Sequence, residues 1–313
     1  EEAKWGLEYL FKIQDKDGGV FLAVKPLDWW QENAPPRRLL DNKCTGVTAK
    51  TVAVWACGYR AFKDIKPAFA QECLSHARNG WKWILQHPKD FIPGNVYPSY
   101  WTGDASSVTL AACELFLSTK DIDPEEAAEY NSKVTSDIKK GKFGNGVWIY
   151  SPYQENFSYV HTALYGQIIP AMCRFYPYAD TETKKLIEMH LEKWTTPWFK
   201  KVRNNPYGVA ENLVKSYFGM NGWDSEVAAD MLLAGYTLGN REMTDYGIAQ
   251  LEWLFGNNPF GLSFVVGYGE KYFPSPFKRP PKRTFGGIIP GVIDFDSNGI
   301  IEIAGINEWQ TDE

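Results

Sequence analysis

Residues 253–269 read WLFGNNPFGLSFVVGYG. Trp253, Leu254 and Phe255 finish an apolar helical run, Gly256 is a helix stop, and an aromatic- and Gly-rich loop follows. Working outward, apolar residues recur at helical spacing over 241–255, 224–238, 182–198, 158–175, 125–138, 105–119, 66–87, 46–62 and 2–14. Turn signals separate them, among them DKDGG at 15–19 and the Pro-rich stretches 88–98 and 274–281. Strand signals are few: VWIY at 147–150 and SFVV at 263–266. Helix pairs recur every ~50–60 residues, the long period of stacked helical hairpins. One helix of each pair is richer in small and aromatic residues, as an inner-ring helix must be. These features predict an all-α chain, 1–313 as a single domain, closed as an (α/α)6 barrel. With a helix expected from about 303, the count is about ten where that barrel needs twelve. Because the sequence opens and closes inside helical stretches, further N-terminal helices are expected outside it.

The chain has 313 residues and a net charge of −5, so it lacks the basic face that a nucleic-acid binder uses to neutralise phosphates. No apolar run reaches the length of a membrane span. The aromatic content is high, with 13 Trp, 17 Tyr and 18 Phe. Most must be core. The remainder suits a cleft for sugars, whose C–H faces stack on aromatic planes while indole N–H and phenol O–H meet hydroxyls. Five Cys at irregular spacing do not form a disulfide framework, and Cys57 and Cys113 read as small core residues. The four His show no zinc spacing; His190 reads as a helix residue, and His161, after FSYV, is the one to watch.

NEWQTDE at 307–313 places Glu308 and Asp312 four residues apart, and a carboxylate beside Trp309 is suited to a raised pKa and general-acid work. Together with the loop at 253–269, this string resembles the C-terminal signature of glycoside hydrolase family 9, the inverting cellulase-type enzymes. TAKTVAVWACGYRAF (48–62), YWTGDASSVTLAACELFLSTKD (100–121), NPYGVA (205–210) and GWDSEVAADMLLAGYTLGN (222–240) resemble further family segments. The resemblance implies hydrolysis of β-glycosidic bonds in a polysaccharide or oligosaccharide such as β-1,4-glucan, with no required cofactor. It makes Glu308, within NE-x-x-x-D, the acid. The partner base would be an Asp of a DAGD-like motif, and no DAGD string occurs in these residues. Trp223 matches a sugar-stacking Trp, Tyr159 stands where Trp is usual, and Arg279 matches a family Arg. Phe277 replaces a substrate-contacting His, which trades a hydrogen-bond donor for a stacking surface. Tyr268 joins the substrate-binding candidates. Asp104 either hydrogen-bonds sugar hydroxyls or caps the helix that follows it. Secretion or a periplasmic location is the family expectation.

DFDSNG, 294–299, places Asp294, Asp296 and Asn298 at alternate positions before Gly299. This is either the first half of a structural calcium loop, lacking the bidentate Glu at position twelve, or an acidic Gly turn. Two other functions compete with hydrolysis: a non-catalytic carbohydrate-binding relative, and a polysaccharide lyase on a similar toroid with His161 or Tyr159 as base beside Arg279.

Overall fold

The computed structural model describes residues 1–22, 24–26, 38–40, 42–90, 105–141, 168–204, 221–272, 291–295 and 301–304. They fall into two compact units, Glu1–Ile187 and Glu188–Glu313. Among the described residues there are nine α-helices and two small antiparallel ladders.

In the first unit α1 is Glu2–Lys12, α2 Thr45–Phe62, α3 Pro67–Gln86, α4 Ala105–Thr119, α5 Pro124–Lys140 and α6 Ile168–Phe175. The helix α7, Thr181–Asn204, begins there and continues into the second unit. The centre is α2, which packs against α3 and α4, and α4 in turn packs against α5 and α6. Composition explains the arrangement. In α2 and α4 Ala, Gly, Ser, Thr and Cys alternate with single large side chains, so neighbouring backbones approach closely from several sides. A Cβ on Gly80 of α3 would lie 2.5 Å from Cγ2 of Val52 on α2, so that crossing admits only glycine. Trp55, fully buried, fills the space beside Phe11 at 6.0 Å between ring centroids. The outer α5 is written into its own sequence: Asp123 accepts from Glu126 N at 3.1 Å, Pro124 opens the first turn, Lys139 and Lys140 face the negative helix end, and Gly141 closes it at φ 61°.

The second unit contains the rest of α7, then α8, Asn221–Leu238, and α9, Arg241–Leu254, packed as a hairpin. Asn240 caps α9 by accepting from Met243 N at 3.1 Å. Gly247 makes the crossing close, since a Cβ there would lie 2.8 Å from Leu232 Cγ.

Most helix expectations hold within three residues; two differ in extent, and one strand expectation fails. The helix expected over 182–198 runs from Thr181 to Asn204, straight through Pro197, which costs one main-chain hydrogen bond without ending it. Of the helix expected at 158–175, the described part is Ile168–Phe175; residues 158–167, like VWIY at 147–150, lie outside the described residues. SFVV at 263–266 forms no strand among the described residues: Ser263 makes an isolated bridge to Tyr272, and Phe264 N is tied to the end of α9.

Two ladders were not legible beforehand. β1, Val24–Pro26, pairs with β2, Arg38–Leu40. β3, Gly291–Phe295, pairs with β4, Ile301–Ala304, with Asp294 opposite Glu302. The helix expected to begin near 303 is therefore corrected: residues 301–304 are a strand. The reason is the β-branched alternation of VIDF and IEIA on either side of Asn-Gly, a hairpin signal stronger than the helical one. Asp294 of the calcium reading stands at the end of β3, while Asp296 and Asn298 lie outside the described residues.

Candidate active site

The loop after α9 is built from the end of that helix. Phe255 N donates to Leu251 O and Glu252 O at 3.3 and 3.1 Å, and Gly256 then carries the chain away at φ 115°, a conformation closed to side chains with a Cβ. The chain returns eight residues later, where Phe264 N donates to Leu254 O at 2.8 Å. Asn258, nearly fully buried, holds the loop from inside. Its Nδ2 donates to Trp253 O at 2.8 Å and to Leu262 O at 2.9 Å, while its Oδ1 accepts from Phe260 N at 3.0 Å. One amide thus serves three main-chain groups, two carbonyls and one N–H. Trp253 and Phe264, both buried, stack at 6.3 Å and 19°, and Phe260 meets Phe264 edge-on at 6.0 Å.

Trp253 also ties the loop to α8: its indole Nε1 donates to Asn221 Oδ1 at 3.1 Å, a buried bond. Asn221 opens α8, so the first turn of α8, which carries Trp223, is fixed against the root of the loop. On the outer side of the loop Tyr268 is 56% exposed, and its ring lies 5.0 Å from that of Phe255, 48% exposed. This pair is an open aromatic surface on a braced support, the form in which a sugar face is bound.

Lower on α8 stands a buried carboxyl. Asp230 is 3% exposed, and burial, reinforced by the Glu226 carboxylate one turn away, pushes its pKa well above the usual range.

Of the residues singled out from sequence, Tyr268 is described with its side chain, Trp223 is placed in the first turn of α8, and Asp294 in β3. Asp104 directly precedes α4. Glu308, Tyr159, Arg279, Phe277, Asp104, Asp296, Asn298 and His161 lie outside the described residues. Four residues of the site were missed: Asn221, Asn258, Phe255 and Asp230. The first two had a readable signal, Asn-Gly at a helix start and Asn-Asn-Pro after a helix stop. His190 is a buried residue of α7 as read, and Cys113 is fully buried; Cys57 is only half-buried, with its Sγ 3.1 Å from the carboxylate of Glu114.

Compared with known proteins, residues 1–285 match glycosyl hydrolase family 9. The chain belongs to this family. Glu308 lies beyond the matched residues. The chain is 25% identical over 340 residues to a cellulose 1,4-beta-cellobiosidase of Acetivibrio thermocellus, covering 96% of this chain and 37% of that protein. It is 23% identical over 294 residues to an endoglucanase of Dictyostelium discoideum, covering 88% of this chain and 38% of that protein. The chain therefore spans well under two thirds of these curated relatives. Among solved structures, a glycoside hydrolase family 9 endoglucanase superposes with a TM-score of 0.66 at 22% identity, over 87% of this chain and 49% of that one. A thermostable endoglucanase from Alicyclobacillus acidocaldarius, in single-mutant form, gives 0.64 at 18% identity, over 92% and 53%. The fold of these relatives is the (α/α)6 barrel, and the helices of this family 9 chain belong to it.

Proposed function

We propose that this family 9 chain contributes the general acid and much of the sugar-binding surface of an inverting β-glycosidase acting on β-1,4-glucan or a related glycan. Its site is a secreted or periplasmic one in this reading. Membership of the family over residues 1–285 is the observation that carries the proposal, and the Phe255–Tyr268 surface on its braced loop supports it.

Glu308 protonates the glycosidic oxygen as the bond to the anomeric carbon breaks. A second carboxylate, on the opposite face of the sugar, takes a proton from the attacking water, and the product is released with inverted configuration. The family resemblance assigns that base to a DAGD-type Asp, and these 313 residues hold no such string. Trp223 and Tyr268 stack on sugar rings. Tyr159 and Phe277 offer further aromatic surface, and Arg279 and Asp104 bind hydroxyls. Asp294, Asp296 and Asn298 would hold a calcium ion, whose contribution would be structural and not chemical.

The test is turnover of cellotetraose by the protein and by Glu308→Gln, with product configuration followed by NMR. Glu308→Gln is expected to lower kcat by about a thousandfold or more with the fold intact. Near-normal turnover of an unactivated substrate would remove Glu308 from the role of acid. Binding of cellotetraose without turnover by the unaltered protein would favour the non-catalytic carbohydrate-binding reading.

A further inference from the structure

We propose that the groove where α2, α4 and α6 end is a second saccharide-binding site, selective for sugar units that carry a carboxylate. The groove has a volume of about 450 Å³ and lies within the first unit. It stands at the C-terminal end of α4, about 20 Å along that fifteen-residue helix from Ala105.

The first observation is charge. Arg60, Lys63, Lys120 and Arg174 line the groove with Asp121, and behind them the carboxylate of Glu114, fully buried, binds Arg60 and Arg174 together. Four cations against two carboxylates leave two positive charges in excess, on a chain whose net charge is −5. The two guanidinium groups are not equally engaged. Arg60 also donates to Glu114 O at 2.8 Å and to Ser118 Oγ at 2.7 Å, whereas the side chain of Arg174 is 42% exposed. The negative ends of three helix dipoles account for cations at this place. Carbonyls in the last turns of α2 and α4 are, however, already taken: Tyr59 O accepts from Lys63 N and Phe116 O from Lys120 N, both at 2.9 Å, and Thr119 O from Asp123 N at 2.8 Å.

The second observation is aromatic, and helix dipoles do not explain it. Tyr178 lines the same groove and is 46% exposed. Its ring is held edge-on by Phe116 at 5.4 Å and 78°, and Lys120 Nζ stands 5.3 Å from its centroid. A rigid exposed ring beside a forked guanidinium provides both parts of recognition of a uronic-acid unit. The ring takes the C–H face of the sugar, and the Arg fork takes the carboxylate. A plain anion site needs no such ring, and a neutral-sugar site needs no excess of cations.

The experiment is calorimetric titration of the full chain, in one buffer of fixed ionic strength. The probes are cellotetraose oxidised at C6 to its uronate, cellotetraose itself and inorganic phosphate. They are titrated into the unaltered protein, the double variant Lys63→Glu/Lys120→Glu and Tyr178→Ala. Lys63 is a surface side chain, and Lys120, a quarter exposed, pairs with Asp121 at 2.5 Å, so the double variant keeps the buried contacts of Glu114 with Arg60 and Arg174. The expected result is saturable binding of the uronate, weakened at least tenfold in the double variant and about fivefold by Tyr178→Ala. Binding of cellotetraose is expected to be the same in all three proteins. The proposal is overturned if the uronate does not bind, if it binds the double variant as well as the unaltered protein, or if phosphate binds as tightly as the uronate. The readout is binding away from Glu308, so the outcome is independent of whether Glu308 is the acid.

Discussion

Two places in this molecule hold helix ends together, and they do so by opposite chemistry. Where α2, α4 and α6 end, one fully buried carboxylate, Glu114, is gripped by Arg60 and Arg174. At the root of the loop after α9, the work is done by neutral amides and an indole, Asn258 to Trp253 O and Leu262 O, and Trp253 Nε1 to Asn221. A charged clamp makes a few strong bonds whose strength depends on protonation and on both partners being present. A neutral clamp satisfies main-chain groups one by one and is indifferent to pH.

The comparison breaks most visibly at Glu114. Burial pushes its pKa up, but the attraction of Arg60 and Arg174 outweighs that and holds it below the usual carboxylate range. A folded-state value below the unfolded one contributes stability that is fully present above the ordinary Glu range and lost as pH falls through the folded value. Glu114→Gln is expected to cost about 3 kcal/mol at neutral pH, toward the low end for a broken buried pair because both Arg side chains reach solvent. Urea unfolding at neutral and acid pH checks both points. The gap between variant and parent should shrink as the pH is lowered below the ordinary Glu range, and a gap independent of pH would show that the pairing is not its source.

A smaller effect is expected on the other side. Asn258→Ala leaves three main-chain groups without their buried partner and is expected to cost about 2 kcal/mol, equally at both pH values. It should also weaken binding of cellotetraose, which Glu114→Gln should not. Equal losses of sugar binding in the two variants would erase the distinction between the clamps.

The smallest effect has the opposite sign. The pKa of Asp230 is raised, first by burial and then by Glu226, so the folded state holds its proton when the unfolded chain has released it. Stability is then lost as pH rises from the ordinary Asp range toward the folded value, and the deficit persists above it. Asp230→Asn is expected to raise stability at neutral pH by about 1 kcal/mol or more, and to leave it unchanged near pH 3. Thermal unfolding at the two pH values is the measurement, and a variant less stable than its parent at neutral pH would mean that the ionised carboxylate has a partner that Asn does not replace.

The helices were legible because their signals are local. Asp123-Pro124 and Gly141 mark both ends of α5, and the small-residue runs of α2 and α4 mark elements packed on several sides. The error near 303 was also local: four residues, IEIA, suit a helix or a strand, and the partner GVIDF decides which. Glu114, by contrast, reads in ACELF like any polar residue on a helix. Nothing nearby in sequence announces that Arg60, 54 residues earlier, and Arg174, 60 residues later, close on it. Asn258 stood in a string already recognised as distinctive, yet its role depends on a helix end, a loop return and a ring stack meeting at one point.

By itself the sequence determined the helical class, most helix boundaries, the family and the loop that follows Trp253. These follow from propensity, capping and periodicity, which act over a few residues. Tertiary structure alone decided that Glu114 is doubly paired, that Asp230 is a buried carboxyl with a raised pKa, that Asn221 is joined to Trp253, and that Tyr178 stands exposed among cations. Each of these depends on charge and burial supplied by residues distant in the chain, and the energy of a buried charge is set by its surroundings rather than by its neighbours in sequence.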